Sequence, residues 1–279
     1  MNYVRNIFVV LTYINSADLI DFIASVRENV NDFKIIIVNS FHDDASKKAI
    51  EQIAKDNNCD FINLENKGYS YGNNYGIAYA LQHYKFDFLT VSNADIIVNK
   101  YNTNELPSKG IFAGVIIARD GRAQNPMIVH EYKLREKLCY EAFKKKQKWK
   151  LLFAVGMNKI DRTLFLIMHR NIGRDAKNKL RMIKVYQGHG SFITFSRLTL
   201  EMLWNGKDVN FKGIFDENMF LFAEESVLAK RAEKLGIPIF FSNFAICNHK
   251  EDGSMNLSNI DVNGELAKSN IYFYEHYCY

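Results

Sequence analysis

The stretch IFVVLTYINSADLIDFIASVRENVNDFKIIIVNS, residues 7–40, decides the fold class. Its ends, IFVVLTY at 7–13 and IIIVNS at 35–40, are continuous apolar runs rich in β-branched residues, the composition of strands covered on both faces. Between them SADLIDFIASVREN, 16–29, sets Leu19, Ile20, Ile23 and Val26 at helical spacing, with Ser16 as the expected N-cap. Strand, helix and strand make a βαβ unit. The pattern recurs outward: a helix over about 45–56, a short strand FINL at 61–64, a helix over about 72–83, then strand DFLTVS. Such alternation predicts a parallel sheet with right-handed crossovers, whose ligands bind beyond the carboxyl ends of the strands. Those ends are polar here: Thr12 and Tyr13, Asn39 and Ser40, Glu65 and Asn66, Asn93 and Asp95.

The chain of 279 residues, 48% hydrophobic, suffices for one large α/β domain or two small ones. A net charge of +5 is modest for this length and gives no ground for a nucleic-acid partner. The charge is local, however: Lys133 to Lys184 holds sixteen Lys and Arg against four Asp and Glu, which leaves the remainder net acidic. Cys59, Cys139, Cys247 and Cys278 lie far apart with no CxxC pair, which suggests neither a zinc knuckle nor a disulfide framework and fits a reducing cytoplasm. The apolar run near the N-terminus is too short for a membrane span and lacks a small-residue cleavage site, so it reads as the first strand. Within the basic segment, LLFAVGMNKIDRTLFLIM at 151–168 is nearly apolar enough for a bilayer. Asn158, Lys159, Asp161 and Arg162 sit at its centre, where each charged side chain would cost about 2.5–3.5 kcal/mol, so a packed or interfacial helix pair is expected. Farther on come a helix over about 223–235, stopped by Gly236, a strand PIFFS and the segment AICNHKEDGS.

Several stretches carry chemistry. In NKGYSYGNNYGIAYAL, 66–81, glycines at 68, 72 and 76 match neither the GxGxxG of a dinucleotide site nor a phosphate loop, so NAD and ATP lose support. They permit a tight loop with exposed N–H groups at a helix start, where anions bind, or a plain left-handed turn into a helix. In LTVSNADIIV, 89–98, the period of a strand sends Asn93 and Asp95 to one side. An oxygen ligand there suits a hard divalent cation that takes its other ligands from phosphates, and an Asp in that place also serves as a turn residue. In FDENMFLFAEESVLAKRAEKLG, 215–236, Glu224 and Glu225 open a helix whose dipole favours their ionised forms. Vicinal helical residues point about 100° apart, so one can face a site as a general base while the other pairs with a cation such as Arg231. Two acidic residues also simply decorate many helix N-termini. His249 follows a strand and offers a neutral imidazole ligand, or is a satisfied polar residue.

Taken in order, these stretches resemble the family 2 glycosyltransferases, especially the bacterial polysaccharide branch with its rhamnosyltransferase-like enzymes, over about residues 5–118 and 186–255. The family's V-x-T-Y-N appears as VVLTYIN, with Ile14 for Asn, and its V-D-N-x-S-x-D as VNSFHDD, with Asn39 for the base-contacting Asp while Asp44 matches. Its N-x-G-x-x-x-G-N-N-x-G loop is present in full from Asn66 to Gly76. Its metal-binding D-x-D or N-x-D is Asn93-Ala94-Asp95, and its F-D-E-x-F-F-x-Y-x-E-D-x-D-L is FDENMFLFAEESVL, with Val227 for a second acidic residue.

The resemblance implies a GT-A (nucleotide-diphosphosugar transferase) fold, an α/β, Rossmann-like mixed sheet flanked by helices, with the basic helical segment as an insertion. It divides into a nucleotide-sugar half at 1–118, the insertion at 119–185, and an acceptor-binding and catalytic half with tail at 186–279. It implies an inverting, metal-dependent transfer in cell-surface polysaccharide synthesis, with Glu225 as base and Glu224 orienting it. Donor-binding residues would be Thr12, Tyr13, Asn39, Asp44, Asn66, Gly68, Gly72, Asn73, Asn74, Asn93 and Asp95. Asp95 and His249 would hold Mn²⁺ or Mg²⁺, and the GHGS turn, through Gly190 and Ser191, would line the acceptor pocket. The partners implied are a UDP- or dTDP-sugar and a glycan or lipid-linked glycan. The departures at Ile14, Asn39, Asn93 and Val227 keep a second class in view, an inactive GT-A-like protein that binds a saccharide or a partner enzyme. A sugar nucleotidyltransferase fits worse, because no Gly-rich, Arg- and Lys-containing loop follows the first strand. KKKQKWKLLFAV combines clustered lysines with Trp149 and aliphatics. That composition suits an interfacial helix on anionic lipid at the inner face of the membrane, or helices packed on the main domain or a second subunit as a homodimer.

Overall fold

The computed structural model describes residues 2–169, 179–251 and 260–278. The first half comprises β1 (Asn2–Tyr3), β2 (Asn6–Thr12), α1 (Ser16–Asn29), β3 (Phe33–Phe41), α2 (Asp44–Asp56), β4 (Asp60–Glu65), α3 (Tyr69–His83), β5 (Tyr84–Lys85), β6 (Phe88–Asn93), β7 (Ile96–Tyr101) and β8 (Ile111–Ala118). Then follow α4 (Lys133–Lys144), α5 (Lys148–Met168), β9 (Met182–Val185), β10 (Phe192–Ser196), α6 (Arg197–Trp204), α7 (Glu224–Lys234), β11 (Ile239–His249) and α8 (Val262–Tyr277).

A nine-stranded sheet joins both halves in the order β4-β3-β2-β6-β10-β8-β11-β7, with β9 also on β11. The segment from β4 to β6 is parallel, as the βαβ pattern predicts, whereas β10 inserts antiparallel between β6 and β8. The sheet is therefore mixed, as the resemblance implies. Alternation along β2 feeds two cores: Ile7 and Val9 pack with Ile36, Val38 and Ile77 on one face, while Phe8 and Val10 pack with Leu19, Phe22 and Ile50 on the other. Each such side chain, fully buried, contributes about 1.5–3 kcal/mol.

Several local expectations change. Ser16 opens α1 without capping it; the Asn15 side chain accepts the Asp18 N–H at 3.3 Å. Ile14 just before it has φ 65°, left-handed backbone that a β-branched residue avoids and that Asn, usual there in the resembled family, tolerates. Helix α3 begins at Tyr69, directly after Gly68 at φ 98°. Gly72 and Gly76 serve close packing: a Cβ on either would stand 2.4 Å from a side-chain carbon of Leu11 or Val9. The IIV that follows Asp95 opens β7 at the far edge of the sheet, and IFFS of PIFFS opens an eleven-residue strand. Helices α4 and α5 pack against each other. The inner face of α5 meets the body through Phe165, whose ring lies 5.9 Å from that of Phe241. Among the described residues no helix is long and apolar enough to cross a membrane. Three basic residues of the segment, Arg170, Arg174 and Lys177, lie outside the described residues.

Candidate functional site

The ends of β2, β6 and β11, the turn before β10 and the start of α7 converge on a cavity of about 610 Å³. Thr12, Tyr13, Asn66, Gly68, Asn93, Asp95, Gly190, Ser191, Glu224, Glu225 and His249 all line it. The sequence scatters these residues over most of the chain, and the sheet order brings them to one edge.

The Asn93-Ala94-Asp95 turn is pinned at both ends. The Asn93 N–H donates to the Ser191 carbonyl at 2.9 Å, and the Lys250 N–H donates to the Asp95 carbonyl at 3.0 Å. Asp95 is buried, and its Oδ2 lies 3.2 Å from His249 Nε2. On the other side of the ring, His249 Nδ1 lies 2.8 Å from Gln124 Oε1, while Gln124 Nε2 donates to Glu251 at 2.8 Å. Because Gln124 spends its N–H on Glu251, its carbonyl faces the imidazole, so in the neutral ring Nδ1 carries the hydrogen and Nε2 presents a lone pair to the Asp95 carboxylate. A lone pair and an anion at that distance repel unless positive charge lies between them. The donor set, one carboxylate and one imidazole, fits a divalent cation completed by phosphate oxygens. No cluster of three or more His, Cys, Asp or Glu suited to a metal occurs among the described residues.

Across the cavity, Phe222 and Ala223 both adopt left-handed backbone, φ 73° and 65°, immediately before α7. Strain of this kind persists where surrounding contacts fix it, and here it aims Glu224 and Glu225 inward. Glu225 accepts the Gly190 N–H at 2.9 Å, and the Gly190 carbonyl accepts the Tyr69 hydroxyl at 2.7 Å. Glu224 is 3% exposed, and its Oε1 has no partner. Burial, then the neighbouring Glu225, pushes the Glu224 carboxyl up to about 8; burial likewise raises Glu225 above the usual carboxylate range. The first-turn amides still favour the ionised forms, as expected of a helix N-terminus, but desolvation outweighs them. Arg231 is not their counter-ion. Its buried guanidinium meets Asp208 at 2.8 Å and the carbonyls of Leu203, Gly213 and Ile214 at 2.6–2.8 Å.

Four other expected donor residues lie elsewhere. Gly72 packs on Leu11. Asn73 is buried and donates to the Tyr69 carbonyl at 3.0 Å. Asn74 bonds the loop before Asp216: its Oδ1 accepts the Ile214 and Phe215 N–H groups at 3.0 Å and its amide donates to the Phe215 carbonyl at 2.8 Å. Asp44 is exposed on the first turn of α2, away from the cavity. Asn39 sits just behind the lining, in register with Thr12 on β2 and Asn63 on β4, and donates to Asn63 at 2.7 Å. Thr12 Oγ1 and Asn39 Oδ1 are both buried without partners.

The reading of the sequence passed over His189, Tyr69 and Gln124, which also line the cavity. His189 Nδ1 accepts the Ser191 N–H at 3.2 Å, and burial, then the nearby His249, lowers its imidazole to about 4, so it is neutral. It stood inside the GHGS turn already singled out; nothing in ARDGRAQNP marks Gln124.

The sequence model of the family described as Glycosyl transferase family 2 matches residues 7–165. The chain belongs to that family. Its fold is GT-A: it is similar to the crystal structure of TarS from S. aureus (12% identity, TM-score 0.52, covering 88% of this chain and 36% of that one). It is similar also to GalNAc-T7 with UDP, GalNAc and Mn²⁺ (11%, 0.54, 88% and 44%). A third is the mannosyltransferase PcManGT from Pyrobaculum calidifontis in complex with GDP-Man and Mn²⁺ (15%, 0.50, 89% and 57%). The chain thus spans between about a third and three fifths of the length of these structures. No curated protein matches it by sequence.

Proposed function

We propose that the protein is an inverting, metal-dependent glycosyltransferase that moves a sugar from a nucleotide-diphosphate donor to a hydroxyl of a glycan or lipid-linked glycan. One observation carries this reading: Asp95 and Glu225 open on the same cavity, and the Gly190–Ser191 turn between them bonds Glu225 through Gly190 and Asn93, two residues before Asp95, through Ser191. The acceptor oxygen attacks the anomeric carbon, its bond to that carbon forms as the bond to the diphosphate oxygen breaks, and the nucleoside diphosphate departs with the electron pair. Glu225 takes the hydroxyl proton; a carboxylate raised by burial is a stronger base than one in water. Glu224, buried beside it, orients that base or an acceptor hydroxyl. Asp95 and His249 would hold Mn²⁺ or Mg²⁺, which when bound neutralises charge on the departing diphosphate. Thr12 and Tyr13, which line the cavity, receive the nucleotide, with Asn39 just behind them in register with Thr12. Gly190 and Ser191 face the acceptor.

The test is turnover of a panel of UDP-, dTDP- and GDP-sugars with Mn²⁺ or Mg²⁺, wild type beside Glu225→Gln. At least one donor should turn over, and the variant should lose about 10²–10⁴-fold in rate. Binding of donors without turnover of any would instead mark the chain as a saccharide-binding relative.

A further inference from the structure

Helix α5 turns an apolar stripe to water. Trp149, Leu152, Phe153, Ile160, Leu164 and Ile167 follow helical spacing along one face, and Trp149, Leu152, Ile160 and Ile167 are 63%, 74%, 65% and 62% exposed. A contiguous apolar face of this length is not the scatter of single hydrophobic side chains that ordinary surfaces carry. Exposed Lys145, Lys146 and Lys148 gather at its N-terminal end, next to Trp149, and exposed Lys159 flanks its middle. The opposite face of α5 is committed to the body: Arg162 donates to the Ala123 carbonyl at 2.8 Å and Asn158 to the Met127 carbonyl at 3.2 Å.

We propose that this stripe docks on an anionic lipid bilayer, with α5 lying in the interface. The chemistry names that occupant. Apolar side chains enter the acyl boundary, lysines at the rim meet lipid phosphates, and an aromatic ring sits where the two zones join. The remainder of the chain, net acidic, is repelled by the same surface, so the charge asymmetry orients the molecule with α5 down. A second copy would set one lysine cluster against another or against water and gains nothing from this asymmetry. Gln124 and Met127, on the strip of backbone that α5 braces, line the active-site cavity, so docking brings that cavity to within about one helix diameter, roughly 10–12 Å, of the lipid. On the proposed transferase reading, which this consequence alone rests on, the acceptor is a glycan carried on a lipid rather than a free sugar.

The experiment is sedimentation of the full chain with phosphatidylcholine vesicles made with and without phosphatidylglycerol, beside light scattering of the protein alone. Wild type should partition onto the anionic vesicles only, and less as salt rises. Leu152→Glu with Ile160→Glu, at exposed positions, should lower the partition coefficient about tenfold or more, and so should Lys145→Glu with Lys146→Glu and Lys148→Glu. Circular dichroism checks that each variant is folded. Donor hydrolysis in solution should be unchanged in both, which separates this proposal from the catalytic one. Absence of partition at low salt overturns it, as does a wild-type dimer that Leu152→Glu converts to a monomer.

Discussion

The backbone N–H of Gly190 donates to the Glu225 carboxylate at 2.9 Å, so the turn before β10 holds that carboxylate, the proposed base, in place. A Cβ on Gly190 would stand 2.5 Å from Glu225 Oε1 and 3.1 Å from its Cγ. Gly190→Ala therefore moves the carboxylate while leaving the buried core alone. Transfer should fall by at least about tenfold, read by initial rates, with the circular dichroism spectrum of wild type. Full turnover in that variant would remove Glu225 from the role of base.

The acidic pair links catalysis to pH. Glu224 and Glu225 titrate together, and in the fold burial keeps their pKa values above the ordinary 4.5. A raised carboxyl pKa means that the native state binds the proton more tightly than the unfolded chain does. Its stabilising contribution is full below about pH 4.5 and is lost as pH rises through about 8. Glu224→Gln cannot ionise, so its melting temperature should match wild type in acid and exceed it at alkaline pH, by about 2–4 °C for each kcal/mol of relief. Because burial raises Glu225 as well, wild-type turnover should climb as pH rises above the ordinary carboxylate range and the proposed base loses its proton.

Gln124 makes its prediction through His249. Gln124→Ala removes the acceptor that holds the imidazole hydrogen on Nδ1, so Nε2 no longer keeps its lone pair toward Asp95. Mn²⁺ affinity, measured by electron paramagnetic resonance of the free ion, should drop about 10–100-fold. Gln124→Glu keeps the acceptor oxygen but sets a carboxylate against Glu251 where an N–H was donated, so its loss should be intermediate.

Sequence pattern carried the parallel half of the fold because β2, β3 and α1 announce themselves by local spacing. It carried the site ends Thr12, Asn93, Asp95, Glu225 and His249 because each closes or opens an element, where polar residues stand out. Helix α7 showed in the sequence, but the charge state of its acidic pair did not: desolvation depends on which distant segments cover Glu224, and no window of sequence contains that. Arg231 illustrates the same limit. Its nearness to the acidic pair along the helix suggested a partner for one of the two, whereas its guanidinium points to Asp208 on a loop that only tertiary packing brings near. Gln124 and β7 escaped for the complementary reason, having no periodicity of their own.

Asn74 separates the two ways of reading the glycine- and asparagine-rich loop. By motif it belongs with the donor-binding residues; by contact it fastens residues 214–215, through which the chain runs toward the acidic pair. Its Oδ1 serves two buried N–H groups at once, and its amide reaches Glu217 at 2.9 Å as well as the Phe215 carbonyl. Asn74→Ala leaves those groups unsatisfied, each at a cost of about 1–3 kcal/mol, so the ligand-free protein should unfold at a markedly lower urea concentration. Asn74→Asp keeps the acceptor and loses the donor, so its loss should be intermediate. Donor affinity, measured by calorimetry on the folded fraction of each variant, should stay within a few-fold of wild type. Unchanged stability with weakened donor binding would return Asn74 to the nucleotide and show that the latch is dispensable.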